Sequence, residues 1–343
     1  MTRRRPVPLL SRPRVSVVVP CYNYGHYLPD AVGSALDQSG VEVDVLIVDD
    51  CSTDGSATIA QRLAEADRRV DVLLHETNRG HIETYNDGLA KVTGDYVALL
   101  SADDLLTTDA LTRAVALMEA EPSVGLVYGR IATFETAPVQ GHDGHPRSWT
   151  VWPGEAWIHG VTRRTRNPIM SPEVVMRRDL VTEIGGYDPG HPHAGDLLMW
   201  LRAAARADVG RVNGATQAAY RQHGANMHST AYAGAITDLH ERHRAFTTFF
   251  AEHPVRGGLA RAERTLAREA LLIAAGQQAE GLDASATAAA ALEIDPQVRT
   301  TAAWRHHQRR ESRGTSTLES RALRAADAVR WGLRWQLRYR VGL

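Results

Sequence analysis

The sequence predicts an α/β protein: a mostly parallel sheet flanked by helices, followed by an α-helical C-terminal extension. Three observations carry this. Short β-branched, apolar runs alternate with helical spacing from residue 15 to about 121. Three of those runs end in polar, chemically capable stretches, "PCYN", "DDCSTD" and "SADD". After about residue 231 the chain turns rich in Ala, Arg and Glu and reads as helix throughout.

In order along the chain, "VSVVV" (15–19) reads as a buried strand that stops at Pro20. "LPDAVGSALDQS" places Leu28, Ala31, Val32, Ala35 and Leu36 at helical spacing. "VDVLIVDD" is a second buried strand, and "STDGSATIAQRLAEA" a turn and helix with Ser52 or Asp54 suited to cap it. "VDVLLHE" is a third strand, "GHIETYNDGLAKVTG" a helix and "DYVALLSADD" a fourth strand. "TTDALTRAVALMEAEP" is a helix with Thr108 or Asp109 as its cap. Beyond residue 123, "VGLVYGRIATF" reads as a strand pair and "WTVWPGEAW" as loop. "MSPEVVMRRDLVTEIGGYDP" reads as strand, helix and turn, and "GDLLMWLRAAARAD" as helix. The patterning divides the chain into a tail (1–13), an α/β domain (14–232) and a helical extension (233–343).

Composition is that of an ordinary globular protein, with 43% hydrophobic and 23% charged residues in 343. A formal net charge of -1 argues neither for nor against nucleic acid, and none is expected as a partner. Two cysteines, Cys21 and Cys51, do not make a disulfide framework, so a reducing compartment is the simpler expectation. The N-terminus lacks a signal-peptide core, and no apolar run approaches the roughly 20 residues that span a bilayer. A cytoplasmic protein is expected, with contact to the inner membrane face left open.

The strand ends carry the chemistry. Two adjacent carboxylates, Asp49 and Asp50, exceed what a helix cap needs, and one can accept from a base imide or ribose hydroxyls. Asp103 and Asp104 close a buried run, where they are either turn residues or hard oxygen ligands for Mg²⁺ or Mn²⁺. Two carboxylates are too few for a protein-only cage, which fits a site completed by phosphate oxygens. Asp196 precedes an apolar helix and is either its N-cap or a general base. His223 lies in a polar stretch, and Arg79 follows a strand in turn-forming "NRG", placed to face phosphate.

Seven stretches in this order, "VSVVVPCYN", "VLIVDDCSTDGS", "NRGHIETYNDGL", "GDYVALLSADDLL", "GGYDP", "GDLLMWLR" and "YRQHGANM", resemble the inverting nucleotide-sugar glycosyltransferases of glycosyltransferase family 2. The resemblance covers residues 14 to about 230. It implies the GT-A fold, a Rossmann-like sheet flanked by helices. It implies a nucleoside diphosphate sugar donor, an acceptor hydroxyl on a glycan, lipid-linked carrier or small molecule, and a Mn²⁺ or Mg²⁺ cofactor. By resemblance, Pro20, Tyr22 and Asn23 meet the nucleotide, and Asp50 with Asp49 beside it takes the nucleobase. Arg79 borders the donor. Ser101, Ala102 and Asp103 form the DXD-like motif, in which Asp103 holds the metal. Asp196 is the catalytic base, and His223 approaches the metal or diphosphate.

This chain departs from the family at three points. Ser101 stands where Asp is frequent, Gly195 where Glu often precedes the base, and Cys51 where Gly or Ser is usual. Metal affinity therefore leans on Asp103, the diphosphate and His223. Polysaccharide or glycoconjugate assembly is the expected setting, with tailoring of a small molecule or peptide left open. A nucleotidyltransferase would carry a glycine-rich basic phosphate loop, and "PCYNYGHYLPD" has no Lys or Arg. A non-catalytic nucleotide-sugar-binding protein would not need Asp196.

From Arg299 to Leu343, eleven arginines against Glu311, Glu319 and Asp327 leave a local charge of +8. Trp331, Trp335 and Tyr339 lie among those arginines. Such a segment suits peripheral contact with an anionic membrane, or packing on its own domain or in a homo-oligomer.

Overall fold

The computed structural model describes residues 1–136, 144–224, 234–313 and 329. They form two units, Met1–Ile158 with Ile169–Gly224, and His159–Pro168 with the chain from Ala225 on.

The first unit is built on one sheet. Its strands are β1 (Thr2–Arg4), β2 (Arg14–Cys21), β3 (Glu42–Asp49), β4 (Val70–Leu74), β5 (Tyr96–Leu99), β6 (Leu105–Leu106), β7 (Val124–Phe134), β8 (Ser148–Trp152), β9 (Val175–Arg177) and β10 (Asp208–Arg221). Their order is β1-β8-β10-β7-β9-β5-β2-β3-β4, with β6 on β10. The helices are α1 (Leu28–Leu36), α2 (Ser56–Ala66), α3 (His81–Leu89), α4 (Ala110–Ala120), α6 (Arg178–Ile184) and α7 (Gly195–Ala204), with α5 (Gly154–Arg164) beginning in this unit and continuing into the second from His159.

The apolar runs form strands because both faces are covered. Val15, Val17, Val18 and Val19 of β2 are fully buried. α1 buries Leu28, Ala31, Val32 and Ala35, the stripe its spacing dictates. Gly88 lets α3 lie directly on the sheet, since a Cβ there would run into Val18.

Strand direction is what assembles the site. β3, β4 and β5 are bonded parallel into the β2 array. β9 runs antiparallel to both β5 and β7, and β10 runs parallel to β7. β2, β3, β5, β7 and β10 therefore all point one way, and their carboxyl ends share one edge. The residues that enter antiparallel β9 lie at that same edge.

The structure corrects several local expectations. β2 runs through Pro20 to Cys21. "VGLVYGRIATF" is a single strand, because β7 pairs along its length with β10. "WTVWPGEAW" is not loop: it is β8, then the start of α5. All five β8 residues are buried, so no alternation marks the strand. Within the segment read as a tail, Thr2–Arg4 is an edge strand on β8. It is exposed along its length and held by Arg3 to Ser148 Oγ (2.9 Å) and Arg4 to Glu121 (2.7 Å).

The second unit is helical: α8 (Ala235–Glu252), α9 (Gly258–Ala279), α10 (Ser285–Ile294) and α11 (Ala302–Arg313). Phe246, Phe249, Leu266, Ala270 and Ala274 fill its core. Arg242 is buried among them and bonds Asp238 (2.7 Å), Glu269 (3.2 Å) and the Thr165 carbonyl (2.6 Å). Burial works against its charge, and the two carboxylates more than offset it. Among the described residues no helix is long and apolar enough to cross a membrane. Trp331, Trp335 and Tyr339, on which the surface-contact expectation rests, lie outside the described residues.

Candidate active site

The β3 end holds Asp49 and Asp50, both buried. Asp49 Oδ2 accepts from the Ser52 amide (3.0 Å), while its Oδ1 is buried without a hydrogen-bond partner among the described residues. Asp50 Oδ1 accepts from the Arg79 amide (2.8 Å) and meets His75 Nδ1 (2.8 Å); Oδ2 accepts from the Gly80 amide (2.9 Å). Burial works to raise the Asp50 pKa, but these donors outweigh it and hold the carboxyl below its ordinary value. Asn23 links the β2 end to this loop. Its amide donates to Ser52 Oγ (2.9 Å) and its Oδ1 accepts from the Thr53 amide (2.8 Å). Tyr22 beside it is 49% exposed, and Pro20 is half-buried. The Arg79 side chain is exposed and lies against Asp87 and Glu83 of α3.

One cap differs from the expectation and one falls where it was expected. Gly55, not Ser52 or Asp54, is the N-cap of α2, and Asp54 bonds the amides of Ser56 (2.9 Å) and Gly25 (3.2 Å). Asp109 is the N-cap residue of α4 without a side-chain cap bond; its Oδ1 accepts from Ser39.

At the β5 end the adjacent carboxylates separate in role. Asp104 is buried and accepts from the Arg221 amide of β10 (2.9 Å). Arg221 also donates its Nε to the Asp103 carbonyl (2.9 Å), with its guanidinium between the rings of Tyr27 (4.4 Å) and Phe134 (4.5 Å). Burial, then repulsion from Asp103, push the Asp104 pKa well above the carboxylate range. Asp103 Oδ2 lies 3.0 Å from His223 Nε2, and the rings of Tyr24 and Tyr27 brace His223 at 5.4 and 5.5 Å. Ser101 is half-buried and Ala102 buried between these groups and the strand.

A separation of 3.0 Å fits a hydrogen bond. It also fits two neighbouring ligands of one cation with bonds of about 2.1 Å. One carboxylate oxygen and one imidazole nitrogen suit Mn²⁺ or Mg²⁺ poorly as a whole shell and well as part of one. Among the described residues no cluster of three or more His, Cys, Asp or Glu side chains can hold a metal. Phosphate oxygens and water would complete the shell.

Asp196 lies in the first turn of α7, but Ala194 is the N-cap residue and no side chain caps this helix. The capping explanation for Asp196 therefore fails. Its Oδ2 accepts from Ser171 Oγ, at the entry to β9. Burial raises its pKa against the lowering influence of Ser171, Tyr187 and His81. His81 opens α3 directly after Arg79 and Gly80, so one short segment borders both Asp50 and Asp196.

Sequence reasoning missed His75, Ser171, Tyr187, Asn86 and Arg221. His75 ends a strand and was findable as a polar residue on an apolar run. Arg221 stood in the quoted "YRQHGANM". Ser171 and Asn86 carry no local signal.

A model of the family described as Glycosyl transferase family 2 matches residues 16–178. The putative glycosyltransferase EpsE of Bacillus subtilis (strain 168) is 33% identical over 198 residues, 56% of this chain and 67% of that protein. The putative teichuronic acid biosynthesis glycosyltransferase TuaG of the same organism is 41% identical over 107 residues, 31% of this chain and 42% of that protein. The mannosyltransferase PcManGT from Pyrobaculum calidifontis, solved with GDP-Man and Mn²⁺, has a TM-score of 0.56 at 21% identity, covering 95% of this chain and 89% of that one. S. aureus TarS 1–349, solved with UDP-GlcNAc, has a TM-score of 0.55 at 18% identity, covering 84% of this chain and 92% of that one. The two structures share the GT-A fold. The chain spans about two fifths of the length of TuaG and about two thirds of EpsE, and it belongs to glycosyltransferase family 2.

Proposed function

We propose that the protein moves a sugar from a nucleoside diphosphate sugar to an acceptor hydroxyl, inverting the anomeric carbon. What supports this reading is that the strand ends bearing Asp50 and Asp103, and the entry to β9 whose Ser171 bonds Asp196, lie along one sheet edge. Asp49 and Asp50 take the nucleoside: Asp49 Oδ1 is the acceptor left over once the loop bonds are made. Pro20, Tyr22, Asn23, Ser101 and Ala102 border it. Arg79 leaves Asp87 and Glu83 to face the diphosphate. Asp103 and His223 would hold a Mn²⁺ or Mg²⁺ ion, which would supply Lewis-acid stabilisation of the leaving diphosphate.

Asp196 takes the proton of the acceptor hydroxyl. The oxygen then bonds to the anomeric carbon from the face opposite the diphosphate, whose bond to that carbon breaks. Burial strengthens Asp196 as a base. TuaG is named for teichuronic acid biosynthesis and ExoO of Rhizobium meliloti, 39% identical over 108 residues, for succinoglycan biosynthesis. Those names support polysaccharide or glycoconjugate assembly here. The proposed place of action is the cytoplasm, with peripheral contact at the inner membrane face.

The test is a thermal-shift panel of nucleotide sugars with and without Mn²⁺ or Mg²⁺, followed by transfer with the stabilising donor. Asp196→Asn is expected to keep the donor shift and lose transfer by about 10²–10⁴-fold. Near-normal turnover in that variant would remove Asp196 as the base. Asp103→Ala is expected to lose the metal-dependent part of the donor shift.

A further inference from the structure

We propose that Ser171 and Tyr187 are positioning residues for the base: two hydroxyls fixed against Asp196, one by a left-handed backbone turn and one by Asn86. The proposal rests on Asp196 being that base. Nothing on its own helix end holds the carboxylate. Ala194 offers no cap and Gly195 has no side chain. Its partners come from two other segments.

The first segment is the entry to β9. Ser171 has φ +81°, a left-handed conformation that a serine adopts at a cost of order 1 kcal/mol or more. The turn is closed by the Val174 amide on the Ser171 carbonyl (3.0 Å) and by Glu173 Oε1 on the Met170 amide (3.1 Å). It aims Ser171 Oγ at Asp196 Oδ2.

The second segment is "GGYDP", a motif to which no role had been assigned. Asn86 of α3 grips the main chain of Tyr187 from both sides. Its Nδ2 donates to the Tyr187 carbonyl (2.8 Å) and its Oδ1 accepts from the Tyr187 amide (2.8 Å). Gly186 makes room for this grip. Its φ is +73°, and a Cβ there would stand 2.6 Å from Asn86 Oδ1. Asp188 then bonds Arg202 (2.8 Å) and ties the loop to α7, the helix that carries Asp196. Between these fastenings the Tyr187 ring packs edge-on to Tyr85 (5.2 Å) and Trp200 (6.4 Å). Its hydroxyl is buried beside Asp196, short of a closed hydrogen bond.

A carboxylate flanked this way keeps one oxygen occupied and leaves the other for the acceptor proton. The two hydroxyls also favour the ionised form, against burial, so they govern when the base is available as well as where it points.

Two variants separate positioning from folding. Ser171→Gly removes the hydroxyl and leaves a residue suited to the left-handed turn. Tyr187→Phe keeps the ring. Both are measured by release of nucleoside diphosphate from the donor chosen in the thermal-shift panel, as a function of pH, beside melting temperature and donor-induced shift. The expected result is a kcat lower by on the order of tenfold in each, an acid limb of the kcat/KM profile displaced to higher pH, and an unchanged donor shift. Wild-type kcat and acid limb in both variants, with Asp196→Asn inactive, would overturn the proposal. So would activity lost in step with melting temperature while the acid limb stays in place. An active Asp196→Asn would overturn it through the base assignment instead, and the two failures are distinguishable.

Discussion

The end of β3 and the start of α7 each bring an aspartate to the same sheet edge, and the two are treated in opposite ways. Asp50 is buried among the amides of Arg79 and Gly80 and the ring of His75. Burial raises its pKa, and the donors more than reverse that. Asp196 has the Ser171 hydroxyl, with Tyr187 nearby, and burial wins. Backbone amides are fixed in place and donate only, so they favour the ionised form strongly. Two hydroxyls do so weakly. Asp50 is therefore held in its ionised form, whereas Asp196 takes up a proton more readily. Two carboxylates driven apart by their surroundings divide the labour.

The largest expected effect breaks the first side of this comparison. Asp50→Ala leaves two buried amides and His75 without their acceptor. It is expected to destabilise the protein by about 3 kcal/mol or more, read as a fall in melting temperature. The pH dependence follows from the lowered pKa. Asp50 contributes stability that is present above its unfolded value and is lost as pH falls through the folded one. The gap between wild type and Asp50→Ala should therefore narrow in acid. A gap that widened on acidification would contradict the assignment of Asp50 as the stabilised anion.

Gly186→Ala probes the second side and is expected to cost about 2 kcal/mol, from a left-handed backbone and the collision with Asn86. Because it displaces Tyr187 from Asp196, it should reduce donor turnover more than donor binding. Unchanged melting and turnover would mean that the loop relaxes without disturbing Tyr187.

These two effects mark where the sequence was legible. The β3 and β5 ends were plain in the chain, because an apolar run that closes on Asp49-Asp50 or Asp103-Asp104 is a local pattern. So were α1 and α7, whose apolar residues recur at helical spacing. What escaped is held by partners far along the chain. Asn86 and Tyr187 are 101 residues apart, and Asp104 and Arg221 are 117 apart. No local pattern distinguishes an asparagine that grips a distant main chain from one facing water. β8 escaped for a different reason. A strand buried on every residue loses its alternation, and Pro153 behind it mimics a loop. The resemblance supplied Asp196 as a base where local chemistry favoured a cap, and α7 is in fact uncapped by any side chain.

The smallest expected effect lies at the turn after Asp50, where Cys51 replaces the more usual Gly or Ser. Cys51 has φ +59°, a left-handed conformation in which a Cβ is strained and glycine is not. Its thiol, half-buried, donates to the Glu76 carbonyl at 3.6 Å, a weak contact. The conformation is imposed from both sides, by the Ser52 amide on Asp49 and by the amides held on Asp50. Cys51→Gly should relieve strain without moving either carboxylate. The expected outcome is a gain of about 0.5–1 kcal/mol, offset in part by the greater freedom of glycine in the unfolded chain. Melting temperature should rise slightly, and the donor-induced shift should stay the same. A fall in melting temperature would show that the thiol contact outweighs the strain. A changed donor shift would place Cys51 among the groups that touch the nucleotide and would make the β3 end more than a scaffold for two aspartates.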